Sequence, residues 1–507
     1  MKTSSSTLRA IGTLIKNLRE ERALSQTELA EKIGTTQSSI ARLETGDQNV
    51  STTMLQKIGA ALERDVVRLA DGAMNIRIDG GKTLKGTVTV KTSKNAAVVL
   101  LCASLMNRGA TTFHAVPRIE EVYRLIEVME SMGVSVRWKN DSLTILPPKE
   151  INLQNLDISA ATKTRSIILF IGPLLHHLKK FSLPQAGGCK LGSRTVQPHF
   201  FALQKLGVKI KATKDCYEVS HNGLRPSEIV LYESGDTVTE NAIMAAAFAG
   251  GTTTIRYASA NYMGQDLCHF LMELGVKIDG IGTTTLTIHA LASLPNKPIS
   301  YSISEDPIDA MFFITVAIVT KSSLTIKRAP IRFLELELLK LEKMGFKCKL
   351  SKIYKGRNAH VELVDITTTP SALVALNEKI HPSVYPGLNI DNLPFFVVIA
   401  TQAKGQTLIH DWVYEKRAIH FKDMDKLGAD TVLADPHRLF VNGPTPLRAA
   451  EVICPPALRP GAIILIGMLA ATGQSTLRNM YSINRGYEDI IQRLNNLGAK
   501  ITILHEF

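Results

Sequence analysis

Residues 107–116 read NRGATTFHAV, and variants of this phrase return at 249–258 (AGGTTTIRYA), 320–329 (TKSSLTIKRA), 403–412 (AKGQTLIHDW) and 471–480 (ATGQSTLRNM). In each copy an alanine- or leucine-rich stretch meets a small or basic turn and then a short run with strand-like alternation, which reads as helix, turn, strand. A second mark recurs about 70 residues apart: Met132-Gly133, Leu206-Gly207, Leu274-Gly275, Met344-Gly345, Leu427-Gly428 and Leu497-Gly498. Glycine just past the last apolar residue of a helix suits a left-handed C-cap, and a strand pattern follows each one. From Asn75 onward the chain therefore reads as six units of alternating strand and helix. None is large enough to bury a core alone, so neighbours must stack. The expected class is α/β, with six units falling into two pseudo-equivalent halves of three and a cleft between them.

Upstream of Asn75 the pattern is purely helical. Leu8–Arg22 places Leu8, Ile11, Leu14, Ile15 and Leu18 on one face. Ser25 followed by Glu28 is a capping box for the next helix, Thr27–Ile33, which breaks at Gly34. Thr36–Glu44 and Met54–Leu62 follow, and Asp65–Met74 reads as a short connector. Two short helices joined through Gly34-Thr35 are a helix-turn-helix. The run LSQTELAEKIGTTQSSIARLETG resembles the phage-repressor and Cro type, with Gln26, Ala30, Gly34, Ile40 and Leu43 in register. That resemblance implies a second helix in the major groove of DNA, with Gln37, Ser38 and Arg42 at base edges and Gln26 and Ser39 at phosphates. The same module also serves for protein contacts. Acids and bases nearly balance over 1–74, so a monomer would bind DNA weakly and a homodimer on a two-part site is expected.

The whole chain of 507 residues carries a net charge of +13. Nearly all the excess lies beyond residue 74, which points to anionic ligands. Six cysteines, at 102, 189, 216, 268, 348 and 454, form no metal spacing, and a reducing cytoplasm is expected rather than a disulfide framework. MKTSSSTLRA has no apolar segment of a secretory signal, and apolar runs such as Gly461–Ala471 are too short to span a bilayer, so no membrane is expected.

Within the repeats one loop stands apart. Gln185–Arg194, QAGGCKLGSR, sets Cys189 among glycines, Lys190 and Arg194. Neighbouring cations favour the thiolate, although such a loop alone would equally hold an inert thiol. The six units, this GGC loop and the TSKNAA stretch at 92–97 together resemble the enolpyruvyl transferases, in particular their UDP-N-acetylglucosamine 1-carboxyvinyltransferase branch. The resemblance runs from about Asn75 to the C-terminus. It implies a two-domain inside-out α/β barrel of six βαβαββ-like repeats. The domains would be 73–91 with 303–507, and 92–302, behind a helix-turn-helix domain at 1–72.

The implied reaction transfers the enolpyruvyl group of phosphoenolpyruvate to a hydroxyl of UDP-N-acetylglucosamine and releases phosphate. No cofactor and no metal are implied. Phosphoenolpyruvate carries a phosphate and a carboxylate, both suited to the planar fork of arginine. Lys94, Arg165, Arg194 and Arg417 match basic positions of the family's site, whereas Arg459 and Arg485 match motifs read as structural or cleft-lining. Asn95 would hold the sugar, or else cap a helix. Asp306 in SEDPIDAMFF matches the general base, or is a turn residue before Pro307. Asp391 in NIDNLPFF matches a second acid near the reacting carbons, or caps a helix. Cys189 would protonate C3 or add at C2, and the epoxide fosfomycin would alkylate it. The chain departs from the family on the nucleotide side. Glu233 replaces a basic residue, Gly235-Asp236-Thr237 replace Ser-Val-Gly, and Thr195-Val196-Gln197 replace Pro-Val-Asp. Pro307 and Ala457 replace a frequent Arg and a frequent Asp. Two open alternatives are a transferase with another nucleotide acceptor and a transcriptional regulator with a non-catalytic sensor.

Overall fold

A computed structural model describes residues 12–45 except 14, 17, 21 and 23, then 52–62, 74–185 and 195–504. The chain forms two compact units, Met1–Met74 and Asn75–Phe507.

In the smaller unit, helix Gln26–Ile33 opens on the capping box: the Ser25 side chain accepts from Glu28 N–H, and the Glu28 carboxylate accepts from Ser25 N–H at 2.7 Å. The helix ends at Gly34 in the left-handed region, with φ 71°. Helices Gln37–Thr45 and Thr52–Ala61 follow. Ile15, Leu29, Ile33, Ile40, Leu43, Ile58 and Leu62 make the core. Arg19 is buried with them because Glu44 takes its guanidinium at 2.6 and 3.0 Å, which satisfies both charges. Of the expected helix Leu8–Arg22, the described residues from Gly12 to Glu20 are helical, and Leu8, Ile11 and Leu14 lie outside them.

In the larger unit every Leu/Met-Gly step is a turn of the predicted kind. Gly133, Gly207, Gly275, Gly345, Gly428 and Gly498 have φ between 84° and 106°. A side chain in that backbone state is strained. Each glycine ends a helix and releases a strand, among them Ser135–Lys139, Val208–Ala212, Asp430–Asp435 and Ile501–Leu504. The described strands assemble into six separate sheets. Three draw their strands from 111–302 and three from 75–89 and 323–504. Strand Asn75–Gly80 lies between Gly473–Arg478 and Ile501–Leu504, antiparallel to both.

Inside the sheets lie largely apolar helices buried on every side. Ala96–Ala103, Val238–Ala246, Leu393–Ala400 and Arg459–Leu469 are buried without interruption. A helix with no polar face has no solvent side to offer. Pro307–Val319, Leu393–Ala400 and Leu458–Ala470 pack on one another, and Asp236–Ala246 packs on the short helices of 165–174 and on Tyr262–Leu274. The apolar run at 461–471 is thus a core helix, and among the described residues no helix is long and apolar enough to cross a membrane.

Candidate active site

The N-terminal ends of these inner helices meet at one cleft of about 560 Å³. It is lined by Lys94 and Asn95, by Arg165 and Ser166, by Gly235 and Asp236, by Asp391, and by Leu458 and Arg459, each at or beside the first turn of an inner helix. Helix N-termini present unpaired N–H groups and a partial positive charge, so their convergence favours anions before any side chain is counted. Side chains cap some of these ends and leave others open. Ser93, Thr164 and Asp306 accept from N–H groups of their helices, whereas Gly235, Asn392 and Ala457 contribute no side-chain cap.

Lys94, Arg165 and Arg417, far apart in sequence, line this one cleft together with Arg459 and Arg485. Lys94 Nζ is held at 2.8 Å by Glu121, which also accepts from Ser166 Oγ at 2.8 Å. One carboxylate thereby ties the Lys94 helix to the turn that carries Arg165. Burial works against that charge, yet the Lys94 ammonium and the hydrogen bonds bring the Glu121 carboxyl down to about 2. Burial, with the Arg165 charge adding, pushes His199 down to about 3. Arg417 is 1% exposed. Its Nε binds Asp411 at 2.5 Å and its Nη2 donates to Ile390 C=O at 2.8 Å, so the fork is fixed in direction before any ligand arrives.

Asn95 is not the cap of its helix. Ser93 is, and Asn95 faces the cleft with its amide donating to Tyr262 Oη at 3.2 Å. Nor does Asp391 cap the helix after it: Arg459 binds its Oδ2 at 3.2 Å and Arg417 lies 3.8 Å from Oδ1. Burial opposes ionisation, but the two guanidiniums outweigh it and hold the Asp391 carboxyl below the usual range. Asp306 differs from the expectation of a base facing the substrate. It is 8% exposed, caps helix Pro307–Val319 by accepting from Ile308 N–H at 2.8 Å, and is not among the residues lining the cleft. Burial pushes it up to about 6, with Arg459 offsetting and Asp309 adding. The physical reason is location: Asp306 is turned onto the first turn of its own helix, whereas Asp391 lines the cleft and binds Arg459 there. Of the two acids, Asp391 is the one that lines the cleft and the more readily ionised.

Cys189 and Arg194 lie outside the described residues, as do Gly187 and Gly188. In the segments expected to face a nucleotide, Glu233, Ser234, Gly235, Asp236 and Thr237 all line the cleft, as does Thr195. Asp236 turns onto Ser259 Oγ at 2.6 Å and Asn261 at 3.4 Å. Glu121, Tyr262, Asp411 and Glu240 were not singled out from the sequence. A signal existed for Glu121, which falls on the helical face of Leu125 and Val128, a carboxylate in an apolar stripe.

In the smaller unit Gln37, Ser38 and Arg42 are exposed along helix Gln37–Thr45. Gln37 donates to Gln26 Oε1 at 2.7 Å, and Gln26 donates to Glu44 at 2.8 Å. Ser39 is less accessible than these three: it is 8% exposed, next to the fully buried Ile40.

A cleft among inward helix ends, with an ionised acid beside two arginines, defines a site suited to small anionic molecules. The family model for EPSP synthase (3-phosphoshikimate 1-carboxyvinyltransferase) matches residues 78–494, and a helix-turn-helix model matches 15–69. A UDP-N-acetylglucosamine 1-carboxyvinyltransferase of Bradyrhizobium diazoefficiens is 34% identical over 431 residues, covering 84% of this chain and 96% of that protein. The enzyme of that name from Treponema denticola is 32% identical over 426 residues, covering 84% and 98%. Among solved structures, the enolpyruvyl transferase NikO from Streptomyces tendae shares the fold at TM-score 0.74 and 21% identity, covering 85% of this chain and 99% of that one. EPSP synthase from Acinetobacter baumannii does so at TM-score 0.65 and 18% identity, covering 85% and 100%. The chain belongs to the EPSP synthase family of enolpyruvyl (carboxyvinyl) transferases and carries a helix-turn-helix unit ahead of the enzyme.

Proposed function

We propose that this enzyme transfers the enolpyruvyl group of phosphoenolpyruvate to a hydroxyl of UDP-N-acetylglucosamine or a related nucleotide sugar, the entry step of peptidoglycan precursor synthesis in the cytoplasm. The observation that carries the reading is the gathering of Lys94, Arg165 and Arg417 around one cleft with ionised Asp391. The phosphate and carboxylate of phosphoenolpyruvate pair with those three cations and with Arg194. Asp391 takes the proton of the sugar hydroxyl as its oxygen adds to C2, and Cys189 supplies a proton to C3. The tetrahedral adduct then loses phosphate from C2 and a proton from C3, leaving the enol ether. Residues 73–91 with 303–507 form one half of the barrel and 92–302 the other, and their closure excludes water. Asn95 holds the sugar, and Asp306, at the cap of its helix, adds negative charge near Arg459.

Residues 1–72 bind DNA as a homodimer through Gln37, Ser38 and Arg42, with Gln26 buttressing Gln37. A second reading is an acceptor other than UDP-N-acetylglucosamine, favoured by Glu233 and Asp236 where a pyrophosphate would lie. Phosphate release from phosphoenolpyruvate with a panel of UDP-sugars tests both. Release with UDP-N-acetylglucosamine supports the first, and release only with another acceptor supports the second. DNA affinity measured with and without both substrates tests coupling between the units, which an unchanged affinity would dismiss.

A further inference from the structure

Helix Asp236–Ala246 brings two opposed signals to the acceptor side of the cleft. Its first turn is open, because Gly235 offers no side-chain cap, and so attracts anions. Yet Asp236 and Glu240, one helical turn apart, both line the cleft there and would repel them if ionised. Among the described residues lining that side, Thr195, Glu233 to Thr237, Glu240, Ser259, Asn261 and Met263, none is a lysine or arginine.

Glu240 is the unusual member. It is 2% exposed, it lines the cleft, and its carboxyl has no hydrogen-bond partner among the described residues. A buried charge without a partner is costly, whereas a protonated carboxyl aimed into a cavity is a hydrogen-bond donor awaiting an acceptor atom. Asp236, by contrast, has both oxygens occupied by Ser259 and Asn261.

We infer that Glu240 is a binding group for the phosphate-bearing part of the acceptor, donating a hydrogen bond from its protonated carboxyl beside the open turn of its helix, so that acceptor binding is coupled to a proton. This rests on the phosphate-bearing acceptor of the proposed function. Burial, with the Asp236 charge adding, holds the Glu240 carboxyl well above the ordinary range. The groups facing it are Asp236 on its own helix and the buried thiols of Cys102 and Cys268 on helices Lys94–Ala103 and Tyr262–Leu274, none of them a cation. Across the helix His199 contacts Thr237 and Asn241 and is held neutral, and Arg165 stands at the end of the neighbouring helix. An incoming phosphate raises the proton affinity of Glu240 further, so the proton stays through binding.

The test is calorimetric titration of the full chain with UDP-N-acetylglucosamine from pH 6 to 9, in two buffers of different ionisation enthalpy. Expected are net proton uptake on binding at the alkaline end and an affinity that falls there by up to about tenfold per pH unit. Glu240→Gln, a neutral donor of the same shape, should keep binding and flatten the pH dependence, while Asp236→Asn should retain most of it. An affinity that is flat with pH and free of proton uptake would overturn the inference, as would an unchanged pH dependence in Glu240→Gln. If UDP-N-acetylglucosamine binds at no pH, the acceptor reading falls, and the titration is repeated with inorganic pyrophosphate. Binding of pyrophosphate with proton uptake that Glu240→Gln abolishes then supports the role of Glu240, and its absence overturns it.

Discussion

Asp306→Asn should make this enzyme more stable at neutral pH and a poorer catalyst. Asp306 is lifted from the ordinary 3.8 to about 6 by burial against the inner helices. The folded protein therefore holds this proton more tightly than the unfolded chain does, and stability falls as pH rises from about 4 to about 6. Each unit of pKa is about 1.36 kcal/mol, so above pH 6.5 the ionised Asp306 costs the fold about 3 kcal/mol. Asparagine removes that cost and keeps the cap, because its side-chain oxygen still accepts from Ile308 N–H. Both tryptophans, Trp138 and Trp412, lie in the larger unit, so their fluorescence follows its unfolding without contribution from the smaller one. Urea midpoints for the variant should exceed those of the parent at pH 7.5. At pH 4 the difference should shrink below about 1 kcal/mol, as the linkage requires. A variant no more stable at pH 7.5, or one whose gain persists undiminished at pH 4, would refute the placement of Asp306 as a buried, reluctantly ionised acid.

Glu121→Gln should show the opposite sign. The parent's Glu121 lies at about 2 against a usual 4.5, so it contributes about 3 kcal/mol above pH 4.5 that fades as pH drops toward 2. The variant should lose that contribution at pH 7, lose the corresponding acid limb in a stability profile, and raise KM for phosphoenolpyruvate by loosening Lys94. Arg417→Ala strands the fully buried Asp411 and should cost about 3–5 kcal/mol in denaturant unfolding. Arg417→Lys should fold but raise KM for phosphoenolpyruvate by about 10–100-fold, since one ammonium cannot replace a charge-assisted fork worth about 1.5–3 kcal/mol. Fosfomycin should modify Cys189 in peptide mass spectra and spare Cys102, Cys268 and Cys454, whose thiols are buried and pushed up by burial. Gln37→Ala and Arg42→Ala should each weaken binding to a selected DNA site by about 1–3 kcal/mol, measured by fluorescence anisotropy, and leave phosphoenolpyruvate turnover unchanged.

The repeats were legible because a helix must stop before a strand can begin. Six glycines at positive φ mark those stops, and the left-handed backbone state leaves evolution little else to use. The capping box at Ser25 and Glu28 was legible for a similar reason, both partners lying within one turn. The cations of the cleft could be read as a set, because motif and charge coincide at Lys94, Arg165 and Arg417. Their settings could not. Asp391 and Asp306 look alike in sequence, and what separates them is Arg459, which reaches Asp391 across 68 residues of chain. Ser39 was placed by the helix-turn-helix resemblance alone, which does not fix how deep a short helix sinks beside the fully buried Ile40. Glu240 carries no sequence signal in its alanine-rich helix; only the packing of three helices makes its isolation visible.

The placement of Asn75–Gly80 between the last two strand segments sets the order in which the protein can be made. Both neighbours of that strand leave the ribosome about 400 residues after it does. At about 5–20 residues per second that is roughly 20–80 s. The helical unit encoded first has its core residues complete within its own span, so it can finish folding while the strand it leads into still waits for partners. A nascent chain stalled before residue 473 would thus carry a finished helix-turn-helix head on an unclosed enzyme.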